Sequence, residues 1–326
     1  MKGEPHTPTV APGGQTMLRL LIESFRLSLT ARNLSRSTIA IYTGTARRLV
    51  DYLEEHNMPT DPTGVTREHL ELFLTEAQRA PITRNDGQPR SMTVKLWHAS
   101  LRAFFGWLVD VDEIRESPMD RVKAPKAAPH KRPVLTHDQV KAVLRACEGK
   151  TFKDRRDTAI ILLFIDTGLR VAEMADLLMG DIDWQQQQIE VRHGKGDKRR
   201  TVYFGKRTAR ALDSYTHLKG GRRDHPYAHS RYLWLGQSSK LQGRLTDAGI
   251  SQMLKYRGQE AGIPNLHPHL WRHYFIHSSL QAGVQLGDLQ RQTGHSKLET
   301  LLGYADQAAD ERARESHRRL GPGDRL

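Results

Sequence analysis

Five short segments in the second half of the chain carry side chains that could do chemistry together. Two of them contain an arginine, whose guanidinium stays protonated at any working pH and can bind anionic oxygens through paired hydrogen bonds. The others contribute two lysines in a glycine-rich turn, a histidine, and a tyrosine hydroxyl that deprotonates more readily than that of serine. Two more histidines flank the second arginine, and imidazole titrates near neutral pH. In chain order the segments are residues 167–173 (TGLRVAE), 194–198 (GKGDK), 269–273 (HLWRH), 293–296 (TGHS) and Tyr304, nine residues after His295.

The composition favours a soluble protein with a polyanionic partner. Fifty Lys and Arg residues against 37 Asp and Glu give a formal net charge of +13, and phosphate neutralisation by such a surface releases counterions. Nucleic acid is therefore the leading candidate, and a solvated basic surface without a specific partner is the alternative. No apolar run is long enough to span a bilayer and residues 1–16 lack the apolar stretch of a signal peptide, so we expect a cytoplasmic protein. The single cysteine, Cys147, excludes an internal disulfide and favours a buried thiol.

The length of 326 residues predicts two domains. Residues 1–16 are rich in Pro, Gly and Thr and predict a disordered lead-in. Helical apolar patterns, the first on Leu20, Leu21, Phe25 and Leu29, then predict a helical domain over residues 17–116. Further along the chain the sequence predicts a basic, Pro-rich linker, a second domain and a charged C-terminal tail, at residues 117–134, 135–310 and 311–326. The tail is either a segment that docks onto a neighbouring protomer or a frayed, solvated terminus.

The second domain is predicted to be helical with one β-hairpin. Thr136 followed by Gln139 forms a capping box at its first helix, and Gly168 interrupts a later one. Residues 188–204 alternate as two strands around the Gly-Lys-Gly turn. We therefore predict a mainly α fold with a small antiparallel β-sheet, in a two-domain arrangement.

Taken in order, the five segments resemble the catalytic domain of the tyrosine recombinases, the phage integrase family, in a form similar to simple Xer recombinases. The resemblance covers residues 135–304, and the preceding helices and basic linker are similar to the family's core-binding domain. None of the segments is specific alone, since an H-x-x-R pair is often an ordinary surface feature. Five in the family's order are hard to attribute to chance.

The resemblance implies a site-specific DNA recombinase that cleaves and rejoins strands through a covalent 3′-phosphotyrosyl intermediate, for integration, excision or resolution of DNA elements. The family's chemistry assigns the nucleophile to Tyr304 and the binding of the charged phosphorane oxygens to Arg170 and Arg272. His269 would act as general base or acid at the tyrosine, and His295 would donate a hydrogen bond to the phosphate. The remaining roles fall to Lys195 as general acid, with Lys198 as its neighbouring rival, and to Glu173 as a supporting acid or, alternatively, an ordinary surface residue.

The resemblance also implies which partners to expect. Fixed arginine charge makes a metal or other cofactor unnecessary. The partners would be double-stranded DNA sites and further protomers, four on two sites, with a second recombinase or an accessory protein as an open question. DNA phosphates would be contacted by basic residues of the linker and the hairpin: Lys123, Lys126, Lys131, Arg132 and Lys198.

Four alternatives stay open at this point. His267, His269 and His273 include a pair able to share a helix face, as in a metal site, although the pattern has neither HExxH nor paired cysteines. A DNA-binding protein without catalysis and a type IB topoisomerase would share much of the residue set. Tyr274 is a competing nucleophile, but its helical spacing with His277 and Leu280 favours a core aromatic.

Overall fold

A computed structural model of the chain describes residues 16–79, 90–125, 133–192, 199–236, 243–295 and 298–321. The chain divides into two compact units, Met1–His130 and Lys131–Leu326. The predicted fold class is confirmed, because the described elements are mainly helices with one small antiparallel sheet. The predicted lead-in lies outside the described residues except for Thr16, which immediately precedes the first helix. No helix within the described ranges is long and apolar enough to cross a membrane.

The first unit is a helical domain built around aromatic side chains. Phe25, Phe104 and Trp107 form a cluster in which the Phe25 ring centroid lies 5.2 Å from that of Phe104 and 5.4 Å from that of Trp107. Such ring pairs add to the free energy gained from apolar burial. The helices are α1 (Met17–Ala31), α2 (Arg36–Glu55), α3 (Arg67–Arg79) and α4 (Arg90–Asp110).

The beginning of the predicted linker belongs to the first unit's core. Met119 and Val122 are buried in that core, and the buried His98 ring hydrogen bonds through Nε2 to the carbonyl oxygen of Val122 at 2.8 Å. The segment predicted as the linker therefore begins with residues that pack on the first unit. The proline and lysine content of the segment predicted an exposed chain, but Met119 and Val122 pack into the core of the first unit.

The second unit encloses its own apolar core, in which Trp234, Trp271 and Tyr215 are fully buried. Cys147 also lies in this core, and burial raises the pKa of its thiol to about 12. The helices are α5 (His137–Ala146), α6 (Phe152–Thr167), α7 (Val171–Ala175), α8 (Lys206–Thr216), α9 (Asp247–Glu260), α10 (Pro268–Gln281), α11 (Leu286–Thr293) and α12 (Glu299–Leu320).

A three-stranded antiparallel sheet lies between α7 and α8 in the chain. It consists of β1 (Ile182–Asp183), β2 (Gln188–Val191) and β3 (Arg200–Tyr203), in the order β1-β2-β3. The pairing of β2 with β3 confirms the predicted hairpin strands, with Val191 opposite Arg200. The turn that joins them, including the Gly-Lys-Gly segment, lies outside the described residues.

Two local signals of the sequence have the predicted structural effect. Thr136 and Gln139 form the capping box at the start of α5. The Thr136 hydroxyl accepts a hydrogen bond from the backbone N–H of Gln139, and the Gln139 side-chain oxygen accepts one from the backbone N–H of Thr136. Gly168 ends α6 in the left-handed conformation, with φ of 56°. The chain can then turn at once into α7, whose N-cap is Arg170.

The last helix crosses the predicted boundary between catalytic domain and tail. α12 continues without interruption past residue 310, and Glu311 and Arg312 contact α10 of the same chain. Arg312 donates to the carbonyl oxygen of Leu280 at 2.7 Å. The tail predicted from residue 311 therefore begins on the same helix as Tyr304.

Candidate active site

Arg272 is a buried cation at the ends of two helices. Its guanidinium donates to the carbonyl oxygen of Gly168 at 2.8 Å and to that of Thr293 at 2.6 Å, and only 3% of the residue is exposed. These carbonyls close α6 and α11, where unpaired carbonyl groups and the negative end of the helix dipole favour a positive charge. Burial, together with repulsion from Arg170, lowers the pKa of Arg272 to about 10, which leaves it protonated at neutral pH.

Arg170 approaches the same turn from another direction. It is the N-cap residue of α7, directly after the Gly168 turn, and its Nη2 lies 3.3 Å from the carbonyl oxygen of Gly294. Thr293 and Gly294 are consecutive, so the two guanidiniums are anchored on adjacent carbonyl groups. The Arg170 side chain is 31% exposed, and part of its hydrogen-bonding capacity therefore faces solvent.

Glu173 is a buried acid that joins two cations. Its carboxylate accepts from the amide and Nη1 of Arg170, both at 2.8 Å, and from Nη1 and Nη2 of Arg200 at 2.9 and 2.7 Å. Burial alone would raise the pKa of Glu173, but hydrogen bonds and charge from Arg200, and then from Arg170, outweigh it and hold the pKa below its usual range. With 3% of its side chain exposed, Glu173 is not an ordinary surface residue.

Arg200 is a member of this cluster that the sequence analysis missed. Its side chain is 10% exposed, and besides binding Glu173 it donates through Nε to the carbonyl oxygen of Gln292 at 2.8 Å. β3 is thereby connected to α7 and to the end of α11. A sequence signal did exist, since Arg200 and Val202 alternate on β3 toward the same face and Val202 is buried.

Tyr304 is 3% exposed on α12, and its hydroxyl hydrogen bonds to Nδ1 of His273. The His273 ring lies in turn edge-to-face against that of His269, with centroids 4.4 Å apart and an interplanar angle of 80°. His269 was predicted to serve the tyrosine. The structure adds a second histidine one helical turn along α10, in contact with the hydroxyl.

His295 lies beside the two arginines. It follows Gly294, which ends α11 with φ of 64°, and its Nδ1 is 2.7 Å from the Thr293 hydroxyl. Arg272 Nη2 lies 3.3 Å from its Nε2. The ring is thus held at the turn on which both guanidiniums converge.

Of the predicted site residues, the second unit brings Arg170, Glu173, Arg272, His295 and Tyr304 together: Arg170, Glu173 and Tyr304 are near enough to influence the pKa of Arg272, and His295 lies against the Arg272 guanidinium. His269 joins them through His273. Lys123 is exposed in the first unit. The rest of the predicted set lies outside the described residues: Lys126, Lys131, Arg132, Lys195 and Lys198.

Two alternatives concerned individual residues: Tyr274 as a competing nucleophile and the histidines as metal ligands. Tyr274 packs against the second unit's core, and its hydroxyl lies 3.3 Å from Nδ1 of His137 on α5. That supports its interpretation as a core aromatic. Among the side chains that the structure describes, no three His, Cys, Asp or Glu residues converge as metal ligands, and His267 Nδ1 contacts the carbonyl oxygen of Asn265 at 2.7 Å.

The turn at Gly168 leaves no room for a side chain, which gives a testable prediction. A Cβ there would lie 2.4 Å from Cδ1 of Phe275, in addition to the cost of a positive φ. We expect Gly168→Ala to lower the free energy of unfolding by about 2–5 kcal/mol and to slow any reaction that depends on Arg170 and Arg272. Chemical denaturation measures the first effect.

Gly106→Ala on α4 is the matched control. Gly106 has no neighbouring atom within 4 Å of an added Cβ, so the substitution should be neutral or stabilise by about 0.5–1 kcal/mol. Equal stabilities of the two variants would contradict the role assigned to the Gly168 turn.

Residues 133–311 match the sequence model of the phage integrase family. The chain belongs to the phage integrase family. The resemblance drawn from the five segments is thereby confirmed. Curated relatives also match most of the chain, including its first unit. Tyrosine recombinase XerD of Listeria innocua is 31% identical over 287 residues, which cover 87% of this chain and 93% of the relative. Tyrosine recombinase XerC of Lacticaseibacillus casei is 28% identical over 84% of this chain and 89% of its own length.

The fold is likewise that of the integrases. A lambda integrase dimer bound to a COC′ core site superposes with a TM-score of 0.66 at 15% identity, covering 88% of this chain and 94% of that chain. The chain is therefore a tyrosine recombinase, an enzyme that breaks and rejoins DNA strands in site-specific recombination through a tyrosine intermediate.

Proposed function

We propose that Tyr304 is the nucleophile of this recombinase and that Arg170 and Arg272 bind the phosphate it attacks. The phenolic oxygen bonds to phosphorus, the 5′-oxygen of the next nucleotide leaves, and a 3′-phosphotyrosyl link conserves the energy of the broken bond. A second strand's 5′-hydroxyl later expels the tyrosine, so rejoining requires no nucleotide cofactor. The observation that carries the proposal is the anchoring of both guanidiniums on the adjacent carbonyls of Thr293 and Gly294.

The two arginines have different parts in this proposal. Arg272 is fixed by buried carbonyls and supplies permanent positive charge, while the more exposed Arg170 has N–H groups directed toward solvent, from where a DNA phosphate approaches. Preorganised charge of this kind stabilises the phosphorane without a metal. His295 donates to the same phosphate, a histidine of α10 exchanges the Tyr304 proton, for which the sequence predicted His269, and Lys195, with Lys198 as its rival, protonates the leaving oxygen.

Trapping of protein-linked DNA tests the proposed reaction. The protein is incubated with fragmented genomic DNA of its host in EDTA, denatured, and recovered with any DNA attached, whose ends are sequenced. We expect adducts at one short recurring sequence, formed without a divalent metal. DNA that binds the native protein but is never linked after denaturation would favour a DNA-binding protein without catalysis.

We further propose that both units contact duplex DNA, with the basic segment between them contributing phosphate contacts. The relatives solved with bound DNA support this assignment, as does the net charge of +13. Such contacts give affinity rather than sequence preference. Lys123 is exposed as the proposal requires.

The salt dependence of binding tests the contribution of this segment. Changing Lys123, Lys126 and Lys131 to glutamine should reduce the slope of log binding constant against log salt by about 2–3, since each phosphate contact releases about one counterion. Binding to a duplex of random sequence at several salt concentrations measures the slope. An unchanged slope would mean that these lysines do not touch DNA.

For recombination we propose that four protomers assemble on two DNA sites, and that the end of α12 takes part in protomer contacts. The docking segment is the predicted tail, residues 311–326, whose first two residues, Glu311 and Arg312, contact α10 of the same chain. Residues 313–320 are exposed, and four of them are charged: Arg314, Glu315, Arg318 and Arg319. A second recombinase or an accessory protein remains compatible with this arrangement.

A further inference from the structure

The Tyr304 hydroxyl hydrogen bonds to the His273 side chain. Both residues are buried, His273 with 7% and Tyr304 with 3% of its surface exposed, and their ring centroids lie 5.2 Å apart. A hydroxyl that bonds to Nδ1 donates its proton when the imidazole carries its own proton on Nε2. The phenol is then already directed at a group able to take that proton.

The helix that carries His273 fixes the position of this contact. α10 and α12 pack against each other, and His277, one turn beyond His273, places its Nε2 3.0 Å from a carboxylate oxygen of Glu311 on α12. Histidines on consecutive turns of α10 therefore meet α12 at positions seven residues apart. Side chains at i and i+4 share a helix face, so both contacts lie on one face of α10, and of the two only the His273 contact reaches the Tyr304 hydroxyl.

We propose that His273 is a further catalytic residue, whose Nδ1 accepts the phenolic proton of Tyr304 as the phenol attacks DNA, with His269 a positioning residue packed on its ring. The inference rests on the proposed function of Tyr304. The O–H bond of the tyrosine breaks as its oxygen bonds to phosphorus, and the leaving 5′-oxygen takes a proton from the general acid. In rejoining, the attacking 5′-hydroxyl gives its proton back to the general acid, and the proton on Nδ1 returns to the tyrosine oxygen as that oxygen departs.

The chemistry of the two groups explains why contact is required. A phenol of ordinary pKa near 10 does not release its proton to an imidazole of pKa near 6.5 before reaction. Transfer becomes favourable only as the oxygen bonds to phosphorus, so the acceptor must already lie at the hydroxyl. The imidazolium that forms adds a positive charge beside the negative phosphorane.

The test compares His273→Gln with His277→Gln, in which an equally buried histidine of the same helix face is changed but the Tyr304 contact is kept. On a duplex carrying the sequence recovered by adduct trapping, His273→Gln should form the covalent adduct about 10²–10⁴-fold more slowly, the usual contribution of a positioned acid or base. His277→Gln should stay within about tenfold of the unmodified protein. Circular dichroism and duplex binding check that each variant is folded.

Site-specific fluorotyrosine at position 304 separates proton acceptance from a structural role. A fluorinated phenol is more acidic and depends less on a base, so it should accelerate His273→Gln by a larger factor than it accelerates the unmodified protein. His273→Asn serves if the glutamine variant does not fold. Adduct formation by a folded His273 variant at the unmodified rate or faster, or equal acceleration by fluorotyrosine in both backgrounds, would overturn the inference. Absence of adducts with the unmodified protein would instead overturn the proposed function.

Discussion

Changing Arg272 to lysine is expected to slow formation of the protein–DNA adduct by about 10²–10³-fold, the cost typical of losing one preorganised charge donor. Lysine keeps the charge but loses the planar fork that reaches the carbonyl oxygens of Gly168 and Thr293 and that, in the proposed function, also binds the phosphate. One of the two carbonyl groups should then lack its donor, which costs about 1–3 kcal/mol of stability where the site is dry. Timed adduct formation on the recovered duplex measures the first effect, and thermal unfolding the second.

Arg291→Lys on α11 is the control for this substitution. Its side chain is 88% exposed and lies 3.9 Å from Asp288, so the same chemical change should leave both adduct formation and unfolding unchanged. An Arg272→Lys variant that reacts within a few fold of the unmodified protein would remove Arg272 from the proposed phosphate site.

Changing Arg200 to glutamine is expected to destabilise the second unit by about 3–5 kcal/mol, because it removes one partner from a buried ion pair. Glu173 would keep only Arg170, and the link from β3 to the Gln292 carbonyl would be lost. Adduct formation should slow as well, since Arg170 shares that carboxylate. Chemical denaturation and timed adduct formation measure the two effects.

The neighbouring Arg199 offers a matched control. Its side chain is 74% exposed and lies 3.3 Å from Glu190, an arrangement worth about 0–1 kcal/mol. Adding Glu173→Gln to Arg200→Gln should restore part of the lost stability, because no unpaired carboxylate is then left buried. Equal destabilisation by Arg199→Gln and Arg200→Gln would contradict the structural role assigned to the cluster.

Local signals in the sequence predicted much of the fold, and they failed where a pattern allowed two solutions. The capping box at Thr136 and the helix end at Gly168 depend on backbone chemistry that a few residues determine. Which face of α1 is buried does not depend on such local chemistry. Leu20 was predicted to be in the core but is 43% exposed, whereas Leu18 is fully buried. Both fit a helical apolar pattern, and only packing against neighbouring helices decides between them.

The functional groups were predictable where residue type alone implied the chemistry. Arg200 was missed because it stands in a run of basic residues, Lys198 to Arg200, which resembles a solvated turn, although its alternation with Val202 already placed it on the buried face of a strand. His273 was considered only as a metal ligand. Its contact with Tyr304 depends on how α12 packs against α10, and that packing joins residues more than thirty positions apart, beyond any local pattern.

Identification of the residue that becomes joined to DNA tests the central claim most directly. The trapped adduct is digested with a nuclease and a protease, and mass spectrometry locates the tyrosine that retains a nucleotide, in the unmodified protein and in the variants Tyr304→Phe and Tyr274→Phe. We predict the nucleotide on Tyr304, no adduct in Tyr304→Phe, and an undiminished adduct in Tyr274→Phe. A nucleotide on Tyr274, or an adduct that persists in Tyr304→Phe, would contradict the assignment of Tyr304 as the nucleophile.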